Sequence, residues 1–238
     1  MPKYFFRFNK TAMRSIGAGM LIALGALVFC SLFQESRIVG ALCFSLGLLT
    51  TLAFNNYLYT GMIGLVTEDK QDYVFFITKD KFEIKLFWKV LEEVVLVFPH
   101  NLFGVGLIAQ ITKHYTNVSN TATTLVALRI NEVVMTPYVV LEKGMITGVC
   151  MYIAAACWKC TKNSPVVKTI VVILAVMAFI LSGSYHVIAD TYYFIMAPNI
   201  SFFDNNVLHF IFLVFLGNSL GSWIAHMYMR SIWISEEW

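Results

Sequence analysis

The run FILSGSYHVIAD, residues 179–190, sets Ser182, Gly183, Ser184, Tyr185, His186 and Asp190 immediately after a long apolar stretch. His186 has the widest chemical reach of the group, because an imidazole with an ordinary pKa of about 6.5 takes up or gives up a proton near neutrality. An ionisable side chain at membrane depth is a site hypothesis by default. The plainer alternative is a hydrogen-bonded core histidine, and the Ser-Gly-Ser interruption beside the ring favours the first reading. His100 and His209 lie within apolar helical stretches instead, and His114 and His226 near helix ends. No Cys, His and carboxylate cluster accompanies them, so the sequence implies neither a metal nor a cofactor.

Thiol chemistry is the second candidate. Cys30, Cys43, Cys150, Cys157 and Cys160 lie in or at the ends of apolar segments and read as small core hydrophobes. Cys157 and Cys160 have the C-x-x-C spacing of a redox centre, which makes a membrane thiol redox enzyme the alternative class. That pair falls at a helix end expected to face a reducing compartment, where stable disulfides are rare. Two N-x-[ST] triplets begin at Asn117 and Asn199, in expected outer loops, and matter only where a host glycosylates.

The elements that position these residues must live in lipid. Of 238 residues, 58% are hydrophobic and 13% charged, against roughly 45–50% apolar and about 25% charged in soluble proteins. Hydrocarbon about 30 Å thick asks for about 20 apolar residues per helical crossing. The apolar segments are 12–33, 38–54, 86–112, 138–158, 166–181 and 208–232. The sequence therefore reads as an all-α integral membrane protein, one domain over 1–238 with six crossings and a short tail, residues 235–238. Lys3, Arg7 and Lys10 precede a full-length first span without a cleavage pattern, so that helix is expected to stay.

Orientation follows the lysines and arginines. Lys3, Arg7, Lys10 and Arg14 lead the first helix; Lys70, Lys79, Lys81, Lys85 and Lys89 separate the second and third; Lys159, Lys162 and Lys168 separate the fourth and fifth. Those stretches are expected on the cytoplasmic side, with both termini. The opposite loops carry Arg37, Lys113 and Arg129. The formal charge of +3 is thus topological, and no basic patch with interleaved aromatics suggests nucleic acid. Glu142 and Lys143 are adjacent and point to different sides of a helix, so at most one is expected to line the outer mouth, and snorkelling to the interface is the plainer reading; Glu92 and Glu93 read as interfacial.

The chain also repeats itself. HNLFGV and GNSLGS share an Asn-x-x-Gly core, at 101–104 and 218–221, each third in its half; small residues there allow helices to approach closely. The second segment of each half is interrupted, by FNNYLYTG at 54–61 and by LSGSYHVIAD at 181–190. The expected architecture is an inverted three-plus-three repeat, about 12–112 and about 138–232, with two broken helices. Paired interruptions are the best sequence pointer to a transport site. Unwound backbone in a membrane is tolerated only where protein covers it or water lines it, and helix N-termini resuming after each break favour anions.

From about residue 12 to 232 the chain resembles the formate/nitrite transporter family. LYTG at 58–61 is similar to the family's Leu-Phe-Thr-[Ser/Gly], SGSYH at 182–186 followed by Ala189 and Asp190 to its Ser-Gly-[aromatic]-Glu-His and Ala-Asn, and GNSLGS to its Gly-Asn-x-x-Gly. The resemblance implies an aquaporin-like fold, a homopentamer with a pore in each protomer, and small monovalent anions as cargo. It implies His186 as central pore histidine, Thr60 as the hydroxyl facing it, Phe179 and Leu58 at one constriction, Phe44 closing the outer side, and Arg129 as a vestibule cation. Tyr57 and Tyr185 stand where the family commonly has acidic residues, Asp190 where it has asparagine, and Cys150 where it has asparagine. Both phenols are expected to hydrogen-bond the broken backbone, supported by Asn101 and Asn218.

The physics of such a pore follows. A bare ion crossing apolar rings sheds water at an idealised cost on the order of 20 kcal/mol. A weak acid such as formate or nitrite, or alternatively hydrosulfide, lactate or acetate, escapes that cost when protonated, which makes a proton-coupled channel the implied function.

Overall fold

The computed structural model describes residues 3–65, 77–78, 81–82 and 84–233, with side-chain surroundings for 10–65, 95–229 and 231. Lys70, Lys79 and the tail 235–238 lie outside the described residues. So do the side chains of Lys3, Arg7, Lys81, Lys85, Lys89, Glu92 and Glu93.

The described elements run α1 (Lys3–Leu32), α2 (Arg37–Ala53), α3 (Tyr59–Met62), a 3-10 turn at Ile63–Leu65, α4 (Ile84–Thr112), α5 (Thr116–Met135), α6 (Pro137–Cys160), α7 (Pro165–Leu181), α8 (Val187–Met196) and α9 (Asn205–Trp233). A two-residue antiparallel pair, β1 (Ile77–Thr78) with β2 (Lys81–Phe82), precedes α4. Parts of α1, α4, α6 and α9 are long and apolar enough to cross a membrane. At about 1.5 Å per residue, the 17-residue helices α2 and α7 fall short of a full hydrocarbon layer by themselves.

Both short helices end the same way. The backbone N–H groups of Asn55 and Asn56 bond the carbonyls of Leu52 and Thr51, and those of Gly183 and Ser184 bond Ile180 and Phe179. Each is a Schellman stop that requires one left-handed residue. Asn55 at φ 53° and Gly183 at φ 71° supply it, asparagine and glycine being the residues that tolerate that region. The chain then runs extended through Leu58 and His186, the N-cap residues of α3 and α8.

Close helix crossings fix the frame. Gly19 of α1 faces the backbone of Asn101 and Gly104 of α4 that of Ile16; Gly148 of α6 faces the backbone of Asn218 and Gly221 of α9 that of Met145. A side chain at any of the four would meet backbone. The helices α1, α2 and α4 pack together as α6, α7 and α9 do, with α2 against α7.

One expectation is corrected. Residues 113–137, read as an outer loop, contain the 20-residue helix α5, which also places Asn117 inside a helix. It buries Val118, Ala122, Leu125, Val126, Arg129 and Val133, a stripe at three- and four-residue spacing. Its first half, TNVSNTATT, is rich in threonine, serine and asparagine, so hydropathy alone reads the segment as a connection.

Candidate functional site

The two interruptions are held by two asparagines in matching ways. Asn101 accepts the Tyr59 N–H on Oδ1 at 2.8 Å, and its Nδ2 donates to the carbonyls of Tyr57 at 2.8 Å and Ser15 at 2.7 Å. Asn218 accepts the Val187 N–H at 3.0 Å and donates to the carbonyls of Tyr185 at 2.9 Å and Gly144 at 2.8 Å. Both amides are fully buried. Each amide thus meets one N–H and one carbonyl that the break leaves open, and its second N–H ties the break to a carbonyl within α1 or α6.

Between the breaks, Thr60 of α3 and His186 meet, hydroxyl oxygen to Nε2, at 2.8 Å, both buried. Nδ1 of the same ring accepts the Ala189 N–H at 3.2 Å and so caps α8. An acceptor Nδ1 leaves Nε2 as the N–H that donates toward Thr60. The ring stacks on Phe179 at 5.7 Å between centres, and Phe179 meets Phe44 edge-on at 6.1 Å.

These three rings help line a cavity of about 410 Å³. Its walls include Arg129, Glu132, Lys143, Tyr185, Asp190 and Tyr193, with Arg37 among the remaining lining residues. Leu58 is buried at the start of α3 and, like Thr60, lies outside that lining. Cys157 and Cys160 occupy the last turn of α6 and are also outside it. Among the described residues no three His, Cys, Asp or Glu side chains are grouped to hold a metal ion.

The model of a family described as "Formate/nitrite transporter" matches residues 1–231. The chain belongs to that family. No curated protein sequence matches it. Among solved structures, this member of the formate/nitrite transporter family is similar in fold to one described as "Pentameric formate channel with formate bound". The TM-score is 0.74 and the identity 19%, over 95% of this chain and 97% of that one. It is similar also to an "FNT family ion channel", TM-score 0.74 and 18% identity, over 96% and 90% of the two chains. An integral membrane protein of a transport family is the class these likenesses support.

Several side chains of this family member sit otherwise than the sequence suggested. Arg129 is no open vestibule cation: it is 8% exposed, its Nε and Nη2 each lie 2.7 Å from Asp190 Oδ1, and Nη1 donates to the Leu125 carbonyl at 2.9 Å. Its guanidinium carbon lies 5.0 Å from the ring centres of both Tyr185 and Tyr193. Asn101 and Asn218 hold the broken backbone, while the phenols meet charged side chains. The Tyr57 hydroxyl accepts from Arg14 Nη1 at 3.0 Å, and that of Tyr185 donates to Glu132 Oε2 at 2.5 Å. Of Glu142 and Lys143 it is Lys143 that lines the cavity, its Nζ 2.7 Å from Glu132 Oε1. Arg14 and Glu132 are residues the sequence reading left without a site role. Their signal was present in part, since Arg14 precedes the first Asn-contacting turn as Lys143 precedes the second.

Proposed function

We propose that the chain forms a pore for small monovalent weak acids, formate or nitrite first, with hydrosulfide, lactate and acetate as related cargo. The observation that carries the reading is the His186 ring, hydrogen-bonded to Thr60 and stacked on Phe179, lining one cavity together with Phe44, Arg129, Glu132 and Lys143. The two structural neighbours, one described as a formate channel with formate bound, support it.

Cations at the mouths gather the anion, Lys143 beside Tyr185 and Arg14 beside Tyr57. At the aromatic floor a charged species faces a desolvation cost on the order of 20 kcal/mol in the idealised limit, so the acid crosses protonated. His186 Nε2–H and the Thr60 hydroxyl give it two donors in place of water. Four further readings belong to the same proposal: assembly as a homopentamer, two repeats over about 12–112 and about 138–232, both termini in the cytoplasm, and a place in the cell membrane.

The test is flux in liposomes. Formate and nitrite uptake should rise as pH falls, because the protonated fraction grows, and His186→Asn should remove most of it. Uptake equal to protein-free liposomes at every pH would refute the reading.

A further inference from the structure

Arg37, the first residue of α2, is exposed and lines the cavity that His186 also lines. Its guanidinium carbon lies 4.4 Å from the Phe33 ring centre. From there a file of rings, every one of them in the lining, leads inward: Phe33 to Phe29 at 5.5 Å, Phe29 to Phe44 at 6.4 Å, Phe44 to Phe179 at 6.1 Å and Phe179 to His186 at 5.7 Å. Burial rises along it, from exposed Arg37 through half-buried Phe33 to rings that are at most 6% exposed. The file thus connects the protein surface to the imidazole.

The charges of the lining leave a surplus at Arg37. Arg129 and Lys143 line the cavity too, but Arg129 lies 2.7 Å from Asp190 and Lys143 2.7 Å from Glu132, and both carboxylates belong to the same lining. The two pairs cancel, and among the described lining residues the remaining charge is the Arg37 guanidinium. Glu35, two residues earlier, is exposed and outside the lining, and no described carboxylate lies within ion-pair distance of Arg37. Arg37 opens α2, whereas residues 66–76, outside the described set, leave the described chain at Leu65, past the other end of that helix; at 1.5 Å per residue α2 alone spans about 25 Å.

The seating of Arg37 decides what it can hold. A guanidinium over an aromatic ring meets the ring face with its charge and keeps its N–H donors, which lie in its own plane, for a second partner. Those donors form a fork that matches two oxygens carried on one atom. Carboxylates and nitrite have that shape, while hydrosulfide offers a single sulfur. We propose that Arg37 is the entry site for the cargo, a bidentate seat on the Phe33 face that captures carboxylate and nitrite anions in preference to single-centre anions such as hydrosulfide. The inference rests on the pore reading above. It adds a selectivity that Lys143 does not supply, since a compact ammonium has no fork.

The experiment uses the whole protein in liposomes sorted by orientation. Half-saturating formate and nitrite are measured from each side, at low ionic strength and at a pH where both are ionised. Arg37→Met keeps an unbranched stem against Phe33 and removes the charge; Arg37→Lys keeps the charge and removes the fork. From the Arg37 side, Arg37→Met should raise both values about three- to tenfold, the scale of one charge a few ångströms away in a watery dielectric, and the difference from wild type should shrink in molar salt. Arg37→Lys should raise them about two- to fivefold, the loss of a second charge-assisted hydrogen bond. Hydrosulfide, measured as a competitor of formate uptake, should bind the Lys variant as well as the wild type. No change is expected from the opposite side. An Arg37→Met protein with wild-type half-saturation, or an Arg37→Lys protein that matches wild type for formate or weakens hydrosulfide to the same degree, overturns the proposal. Wild-type liposomes that pass no monoacid at all refute the pore reading itself, a separate outcome.

Discussion

His186 Nε2 and the Thr60 hydroxyl oxygen meet at 2.8 Å although their residues are 126 positions apart. The contact exists because α3 and α8 both begin inside the protein, each after a helix stop and each held by an asparagine from the last long helix of its half. The imidazole has two duties there: one nitrogen caps α8 and the other faces Thr60.

Those duties can be separated. His186→Asn keeps a good N-cap side chain, so thermal stability should change little while monoacid flux falls at least tenfold. His186→Ala should lose the flux and also about 1 kcal/mol of stability with the cap. Thr60→Val removes one neutral hydrogen bond worth about 0.5–1.5 kcal/mol, which predicts a two- to tenfold slower flux. Light-scattering uptake assays and thermal melts of the three variants check the set; unchanged flux in His186→Asn would contradict the assigned role.

Asn218→Leu should be among the most damaging changes in the chain. It leaves the Val187 N–H and the Tyr185 carbonyl of the break without their partner, at about 1–3 kcal/mol for each buried group left unmet. Asn101→Leu should do equivalent harm. Loss of folded protein in detergent, followed by thermal melting, is the measurement, and a stable Asn218→Leu protein would show that water replaces the amide.

Arg129→Leu should cost about 3–5 kcal/mol, because it strands Asp190 as a buried unpaired carboxylate. Replacing both, Arg129→Leu with Asp190→Leu, should recover most of the loss, since an ion pair exchanged for apolar side chains is often neutral. A double-mutant cycle on thermal stability reads the coupling directly. A mild single variant would mean that Arg129 acts as a free cation after all.

Gly221→Val should prevent proper packing of α9 on α6, since its Cβ would run into the Met145 backbone. Gly106→Ala is the control: nothing lies within 4 Å of the added carbon, and alanine is the better helix former by about 1 kcal/mol. The first variant should lose monodispersity on size exclusion and the second should match or exceed the wild type in melting temperature.

Sequence alone determined the membrane class and most apolar helix boundaries to within a few residues, the start of the first helix excepted, since α1 begins at Lys3 rather than near residue 12. The reason is that hydrocarbon imposes a length and a composition on each helix, and a break announces itself through residues such as Asn55 and Gly183 that accept a left-handed turn. Tertiary structure alone decided who pairs with whom. Arg129 looked like an open cation because its partner Asp190 is 61 positions away, and nothing local to either residue records the match. Helix α5 escaped for a related reason: its first half is rich in threonine, serine and asparagine, and its buried stripe becomes visible only against the helices it covers. The same holds for Glu132, which acquires meaning only once Lys143 and Tyr185 stand beside it.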